Sequence, residues 1–329
     1  MIVVTGGAGF IGSNIISGLN HRGITDILLV DDLTNTDKVR NIADLHIADF
    51  MDKHTFREKI LTGSLNNIST VFHQGACSDT MATDGSYVMD NNYQYSKDVY
   101  SFCNDNSAQF IYASSASVYG NNIHFSEVPD NENPLNAYAY SKFQFDRYMQ
   151  TQSPTSQVVG LRYFNVYGYR EHHKARMASV AWHFFNQYRD NGKLCLFEGS
   201  GGYENGQQRR DFVFIEDVVA VNLFFLDNPH LSGVFNTGTG ASASFNDVAV
   251  AVLNTLNKHH GSATSSLTDL HNAGLISYTP MPKALHGKYQ SYTEANIQRL
   301  RQTGYRSEFA SVSNGVKKYV TWLEDNCEK

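Results

Sequence analysis

Tyr138 and Lys142 stand four residues apart in the run Tyr138-Ala139-Tyr140-Ser141-Lys142, a spacing that puts both on one face of a helix. A phenol titrates near pH ~10 in water, too high for a useful base at neutral pH. A fixed ammonium beside it favours the phenolate and lowers that value, so Tyr138 is a candidate proton handler. Tyr140, two residues from the lysine, points elsewhere. Val71–Ala76 and Phe110–Ser115 both read as buried strands, and Ser115, at the end of the second, opens the run Ser115-Ala116-Ser117-Val118-Tyr119-Gly120. Ligands of open α/β sheets collect at such carboxyl ends, so the Ser115 hydroxyl is placed to hydrogen-bond a substrate oxygen.

A second cluster of chemistry lies at the N-terminus. Ile2-Val3-Val4 reads as a buried strand, and Phe10 to Gly23 carries apolar residues at Ile11, Ile15, Ile16 and Leu19, a helical stripe. Gly6, Gly9 and Gly12, with Phe10 and Ile11 between them, thus occupy a strand–turn–helix. There glycine gives a tight turn, close approach to a pyrophosphate and close helix–strand packing, and the helix N-terminus favours anions. Glycine clusters also mark plain turns, but here Ile27–Val30 supplies the next strand and Asp31-Asp32 ends it, about 20 residues past the last glycine, where a ribose-binding acid belongs. The expectation is a bound dinucleotide. Asp31 and Asp32 suit a ribose 2′-hydroxyl and so NAD, whereas Lys38, Arg40 and Lys53 are near enough in sequence to balance a 2′-phosphate and so NADP, or are a solvated loop. Asp49, after the strand-like Leu45-His46-Ile47, is either an adenine partner or an ordinary strand-end acid. Lys142 is also suited to donate to the cofactor ribose.

The elements that must hold these groups follow from length and pattern. At about 150 residues per domain, 329 residues suggest two domains. The expected fold is α/β, a doubly wound, Rossmann-like parallel sheet over residues 1–168, with roughly 212–240 returning to it. Residues 169–329, where aromatic residues crowd Trp182–Tyr188, would form a smaller mixed α/β substrate-binding lobe. Gly261 to Gly274, rich in Ser, Thr and Gly, reads as an inserted surface loop. With 26 basic against 32 acidic residues, the net charge of −6 argues against non-specific nucleic-acid binding. Four cysteines without C-x-x-C spacing argue for reduced thiols, no apolar run is long enough for a membrane span, and the N-terminus has no signal-peptide pattern. A cytoplasmic protein is expected. His172-His173 lacks a third clustered ligand and His259-His260 reads as a helix end, so no metal is expected.

The sequence resembles the extended short-chain dehydrogenase/reductases through Thr5–Gly12, Ser115–Gly120, Tyr138/Lys142, Arg162–Gly168 and Arg210–Val218. Within that family it is similar to the 6-epimerases of ADP-linked manno-heptose. That resemblance rests on Gln74–Ser78, Met89–Lys97, Arg170-Glu171 with His173-Lys174, Met177–Ala181, Phe197–Ser200 and Gly287–Gln290. It implies an isomerase using bound NADP, with NAD as the alternative, and a nucleotide sugar (ADP-heptose) as substrate. It further implies a homo-oligomer, a pentamer, and a product used in the lipopolysaccharide core. Inverting C6 through a transient ketone requires the ketone to turn, and one group cannot stay within hydrogen-bond reach of its oxygen in both positions. The resemblance places the second proton handler at Lys174, whose amine burial or the nearby cations Arg170 and Arg176 would help deprotonate. It also assigns Gln74, Gly75, Ala76, Cys77, Ser78, Asn91 and Val166 to the cofactor. To the substrate it assigns Asn165, Arg176, His183, Phe197, Glu198, Gly199, Ser200, Arg210 and Tyr289, beside Ser115 and Lys174.

Four positions depart from the family pattern: Tyr169 replaces a proline, Arg176 a small hydroxyl residue and Asp32 an amide, and 201–208 lengthens the loop before Arg209-Arg210. That last change leaves either arginine as the pyrophosphate ligand. Other readings are a 4-epimerase or 4,6-dehydratase, a reductase that releases its cofactor, and a dinucleotide-sensing regulator.

Overall fold

The computed structural model describes residues 1–282 and 290–326. Its strands begin with β1 (Ile2–Thr5), β2 (Ile27–Asp31), β3 (Asp49–Asp52), β4 (Thr70–His73), β5 (Gln109–Ser115) and β6 (Val158–Tyr163). They continue with β7 (Asn165–Tyr167), β8 (Leu194–Phe197), β9 (Arg209–Arg210), β10 (Phe212–Phe214), β11 (Gly233–Thr237), β12 (Ala243–Ser244) and β13 (Ile276–Thr279). The helices are α1 (Phe10–His21), α2 (Lys53–Leu61), α3 (Gly85–Val88), α4 (Tyr95–Asp105), α5 (Ala137–Gln150) and α6 (Val180–Asn191). After them come α7 (Ile215–Asp227), α8 (Phe245–His259), α9 (Leu267–Asn272), α10 (Gln298–Gln302) and α11 (Val312–Asn326).

The chain divides into two compact units, one of Met1–Tyr163, Val218–Thr237 and Ile297–Arg306, the other of Phe164–Asp217, Gly238–Asn296 and Ser307–Lys329. In the first, seven parallel strands run in the order β11-β6-β5-β4-β1-β2-β3. The chain builds outward from β1 to β3, then returns to β4 and builds the other way. This is the doubly wound topology, and it leaves a switch point between β1 and β4. β1, β2 and β4 are buried along their whole length, polar end residues included, as strands inside a parallel sheet are. Helix residues Phe56, Val99, Cys103 and Phe145 pack with Val3, Val30, Val71 and Phe110 of the strands. On the other side of β5, Arg162 is fully buried and donates to Asp146, Glu132 and the Tyr119 hydroxyl. A buried charge of this kind is tolerated only because partners surround it.

The second unit carries three two-stranded pairings, β7 with β10, β8 with β13 (both parallel) and β9 with β12 (antiparallel). α6, α8 and α11 pack against one another. Asp211 knits it together. Its buried carboxylate accepts from the Thr239, Gly240 and Ala295 backbone N–H groups and the Thr239 hydroxyl.

Several sequence-based expectations shift. Phe212–Phe214 pairs with β7 rather than joining the large sheet, so both segments fall in the second unit, whereas Ile297–Arg306 belongs to the first. Leu45-His46-Ile47 forms no strand. The strand starts at Asp49, opposite Leu28, so Asp49 lies at its amino end, away from the ligand edge. The acid at the carboxyl end is Asp52, which caps α2 by accepting from the His54 and Thr55 N–H groups. Within 261–274 the Ser266/Asp269 capping box starts α9, which buries Leu270, so this stretch is not plain loop.

Candidate active site

The turn from β1 into α1 is built for close approach. Gly6 has φ +65°, and a Cβ there would meet the Gly75 nitrogen at 2.6 Å. A Cβ on Gly12 would meet the Gly6 carbonyl oxygen at 2.2 Å. α1 starts after Gly9 with no side-chain cap and no acid in its first turn, leaving the first-turn N–H groups and the positive end of the helix to an anion. At the end of β2 the Asp31 carboxylate accepts from the Ala8 N–H (2.8 Å) and from Lys38 Nζ (2.9 Å). Asp32 pairs with Lys53 Nζ at 2.9 Å, and its bonds to Thr34 and Lys53 hold the carboxyl well below the usual range despite partial burial. Lys38 and Lys53, both named from the sequence, therefore converge on the two acids at the end of β2.

After β4, Gln74–Ser78 lies across the switch point. The Gln74 and Gly75 N–H groups donate to the Thr5 carbonyl and hydroxyl. Gln74 Nε2 is buried with no hydrogen-bond partner among the described residues, a donor that a bound oxygen would satisfy. Sequence reasoning named Asn91 here, yet the buried Asn92 makes the clasp: it accepts from the Cys77 N–H (2.7 Å) and donates to the Cys77 carbonyl (2.9 Å) and Ser141 Oγ (3.0 Å). Met89–Gln94 is a π-turn, a helix irregularity frequent at functional sites. The wider turn puts Asn92 out of ordinary α register, so the signal available in the sequence was only the paired amides Asn91-Asn92.

Asn136 caps α5 through the Ala139 N–H, which places Tyr138 in the first turn and Lys142 one turn later. Ser115 ends β5, and its hydroxyl partners the Tyr138 phenol. It also accepts from the Ser117 N–H and hydroxyl. Loss of water raises the Tyr138 phenol, and the Ser115 contact offsets part of that rise. The expected depression by Lys142 is not what dominates: Lys142 Nζ donates to the Ala113 carbonyl at 2.7 Å, and burial brings this lysine down to about 8, opposed by the charge of Asp146. Tyr140 is exposed, as its spacing implies.

In the second unit, Asn165 and Val166 lie on β7 and His183 on α6. Lys174 lies in a tight turn, His172–Met177, and burial pushes its ammonium down while Glu171 pushes it up. Arg176 is exposed. Phe197 ends β8, and Glu198, Gly199 and Ser200 continue into a loop pinned by Gln208, whose Nε2 donates to the Glu198 carbonyl and Ser200 Oγ. The two arginines part company. Arg209 donates to Ser242 Oγ and its carbonyl, while the buried Arg210 lies over the Phe245 ring, 5.7 Å from its centroid. Tyr289 lies outside the described residues. Glu171, Asp211 and Asn92, which hold these groups in place, were not singled out from the sequence.

A Rossmann-like sheet, a glycine turn and a Ser–Tyr–Lys set on adjacent elements define a dinucleotide-dependent oxidoreductive fold. The chain belongs to the NAD dependent epimerase/dehydratase family, whose pattern matches residues 2–238. It is 55% identical over 324 residues, 98% of each chain, to the ADP-L-glycero-D-manno-heptose-6-epimerase of Thiobacillus denitrificans. The solved structure of ADP-L-glycero-D-manno-heptose-6-epimerase from Helicobacter pylori is similar, with a TM-score of 0.81 and 28% identity across 98% of this chain and 96% of that one. UDP-N-acetylglucosamine 4-epimerase from Methanobrevibacter ruminantium, at 22% identity and TM-score 0.80 over 98% of both chains, shares the fold.

Proposed function

We propose that the protein inverts C6 of an ADP-linked manno-heptose, interconverting the D-glycero and L-glycero forms. The observation that carries this reading is the identity, along nearly the whole chain, to an epimerase of that name, with Ser115, Tyr138, Lys142 and Lys174 all in place.

Gly6, Gly9 and Gly12 with Phe10 and Ile11, the acids at the end of β2 and the Gln74–Ser78 loop fit a dinucleotide, and Asn91, Val166 and Lys142 complete its contacts. These residues would hold a nicotinamide dinucleotide, which when bound would supply the redox chemistry that inversion at C6 needs. Tyr138 takes the proton of the C6 hydroxyl while Ser115 hydrogen-bonds the same oxygen. Lys142, fixed on Ala113, contacts the ribose. Lys174 handles the proton on the other face of the turned ketone; its depressed basicity suits that role. Arg210 suits the pyrophosphate, and Asn165, Arg176, His183, Phe197, Glu198, Gly199 and Ser200 surround the sugar nucleotide. Lys38 and Lys53 support NADP; a second reading, NAD, is favoured by Asp31 and Asp32, each already paired with one of those lysines. On the same reading the chain assembles as a homopentamer in the cytoplasm and serves lipopolysaccharide core assembly. Light scattering tests the assembly.

The deciding experiment gives purified protein ADP-D-glycero-D-manno-heptose and follows the C6 epimer by NMR. Conversion to an equilibrium mixture with no net change in reduced dinucleotide is expected. Product formed only with stoichiometric NADPH consumption replaces the reading with that of a reductase.

A further inference from the structure

The turn that carries Lys174 is under strain, and the buried carboxylate of Glu171 ties it to its neighbours. Arg170 has φ +68° and Ala175 φ +47°, left-handed conformations that are unfavourable for residues with a Cβ and persist only where surrounding structure enforces them. Glu171 is fully buried between them. One carboxylate oxygen accepts from the Ser179 hydroxyl (2.6 Å) and the Gly168 N–H (3.3 Å), the other from the Ser179 N–H (2.6 Å). Ser179 in turn caps α6 by accepting from the Trp182 N–H. The Glu171 carbonyl accepts the Lys174 N–H at 3.0 Å. Both ends of the strained turn are thus tied, through one side chain, to the start of a helix.

We infer that Glu171 is the positioning residue of the second proton handler: its carboxylate clamps the 170–176 turn to α6 and fixes where, and in what electrostatic surroundings, the Lys174 amine stands. This rests on the assignment of Lys174 made above. Two consequences follow from one carboxylate. Its bonds hold the turn in place, and its charge opposes the loss of the lysine proton. Among the described residues, the other ionisable groups nearest in sequence are Tyr169 and Arg170 before Glu171, His172, His173 and Arg176 in the turn, and His183 on α6; Glu171→Gln leaves these residues in place. In sequence the clue is slight: Glu171 is the one acid in the run from Arg170 to Arg176.

The test needs neither substrate nor cofactor. The pH dependence of acetylation by acetic anhydride, resolved for each lysine by mass spectrometry, reports when each amine becomes neutral. In Glu171→Gln the Lys174 midpoint is expected to fall by about one pH unit, as loss of a neighbouring opposite charge requires, with that of Lys142 unchanged. An unmoved Lys174 midpoint, or equal movement at Lys142, overturns the inference. Should the Gln variant fail to fold, Glu171→Asp retains the charge on a shorter arm. In single turnovers followed by the transient absorbance of reduced nicotinamide, it should slow oxidation of one C6 epimer at least tenfold and spare the other. Equal slowing of both overturns the clamp. If wild-type protein oxidises neither epimer while the labelling shift holds, the proposed function fails and the clamp stands.

Discussion

At Tyr138 two effects oppose each other: loss of water raises the phenol, and the Ser115 hydroxyl lowers it. In the second unit Lys174 is displaced the other way, so that burial favours its neutral amine. Two groups whose environments push an acid up and a base down suit the exchange of roles that inversion requires. Tyr138→Phe and Lys174→Met should each abolish net inversion, read by NMR, while dinucleotide titration by calorimetry stays within a few-fold of wild type. Turnover at the normal rate in Lys174→Met removes Lys174 from the mechanism. His73 makes a separate case. Ser96 Oγ donates to the Asn92 carbonyl, so the His73 Nε2–H donates to Ser96 and Nδ1 accepts from Thr5. Burial first, and the charge of Lys142 second, bring this ring down to about 3 from 6.5. A folded-state value below the unfolded one means that the unfolded chain binds the extra proton. Stability is then complete above pH 6.5 and falls as pH drops toward about 3. In His73→Gln, thermal melts over that window should lose less stability on acidification than wild type; an identical acid dependence assigns the loss to other groups.

The elements around the dinucleotide make the next scale. Gly12→Ala places a methyl where the Gly6 carbonyl stands, and overpacking of this kind costs about 1–3 kcal/mol. The variant should melt lower and lose at least tenfold in dinucleotide affinity; unchanged affinity would show that the turn does not contact the pyrophosphate. At the end of β2, Asp32→Asn removes the charge paired with Lys53. The ratio of NADP to NAD affinity should rise by roughly tenfold, about 1.4 kcal/mol, and an unaltered ratio takes Asp32 away from the ribose. How legible these elements were depends on how local their signals are. The glycine turn, β1, β2 and the Tyr138/Lys142 pair are written in contiguous residues, so spacing alone located them. The Asn92 clasp joins residues 15 and 49 positions apart, and it depends on a π-turn that helical periodicity does not register. Asp49 was misplaced because Leu45-His46-Ile47 alternates like a strand while β3 starts later. The lobe was the least legible part, since its strands are two to four residues long and carry too little periodicity to count.

At the scale of the molecule, the first unit is assembled from three stretches of sequence, so its stability cannot reside in the N-terminal stretch alone. β11 closes the sheet beside β6 in parallel register from Gly233↔Val159 to Thr237↔Tyr163. Asn236 on that strand accepts from the Tyr119 hydroxyl (2.7 Å) and donates to the Phe125 carbonyl. Gln157 donates to the carbonyls of Phe225, Asn228 and Leu231, and α10 packs against β11. A chain ending at Tyr163 would leave β6 as an unpaired edge. It would also strip Tyr119 of one partner beside the buried Arg162, exposing apolar surface and stranding polar groups together. Residues 1–163 expressed alone should therefore show no cooperative thermal transition by circular dichroism and should aggregate. Adding residues 218–237 in trans as a peptide should restore part of the transition. A cooperative melt of 1–163 alone, at a midpoint close to that of the full chain, would mean that the returning strand is an accessory to this sheet.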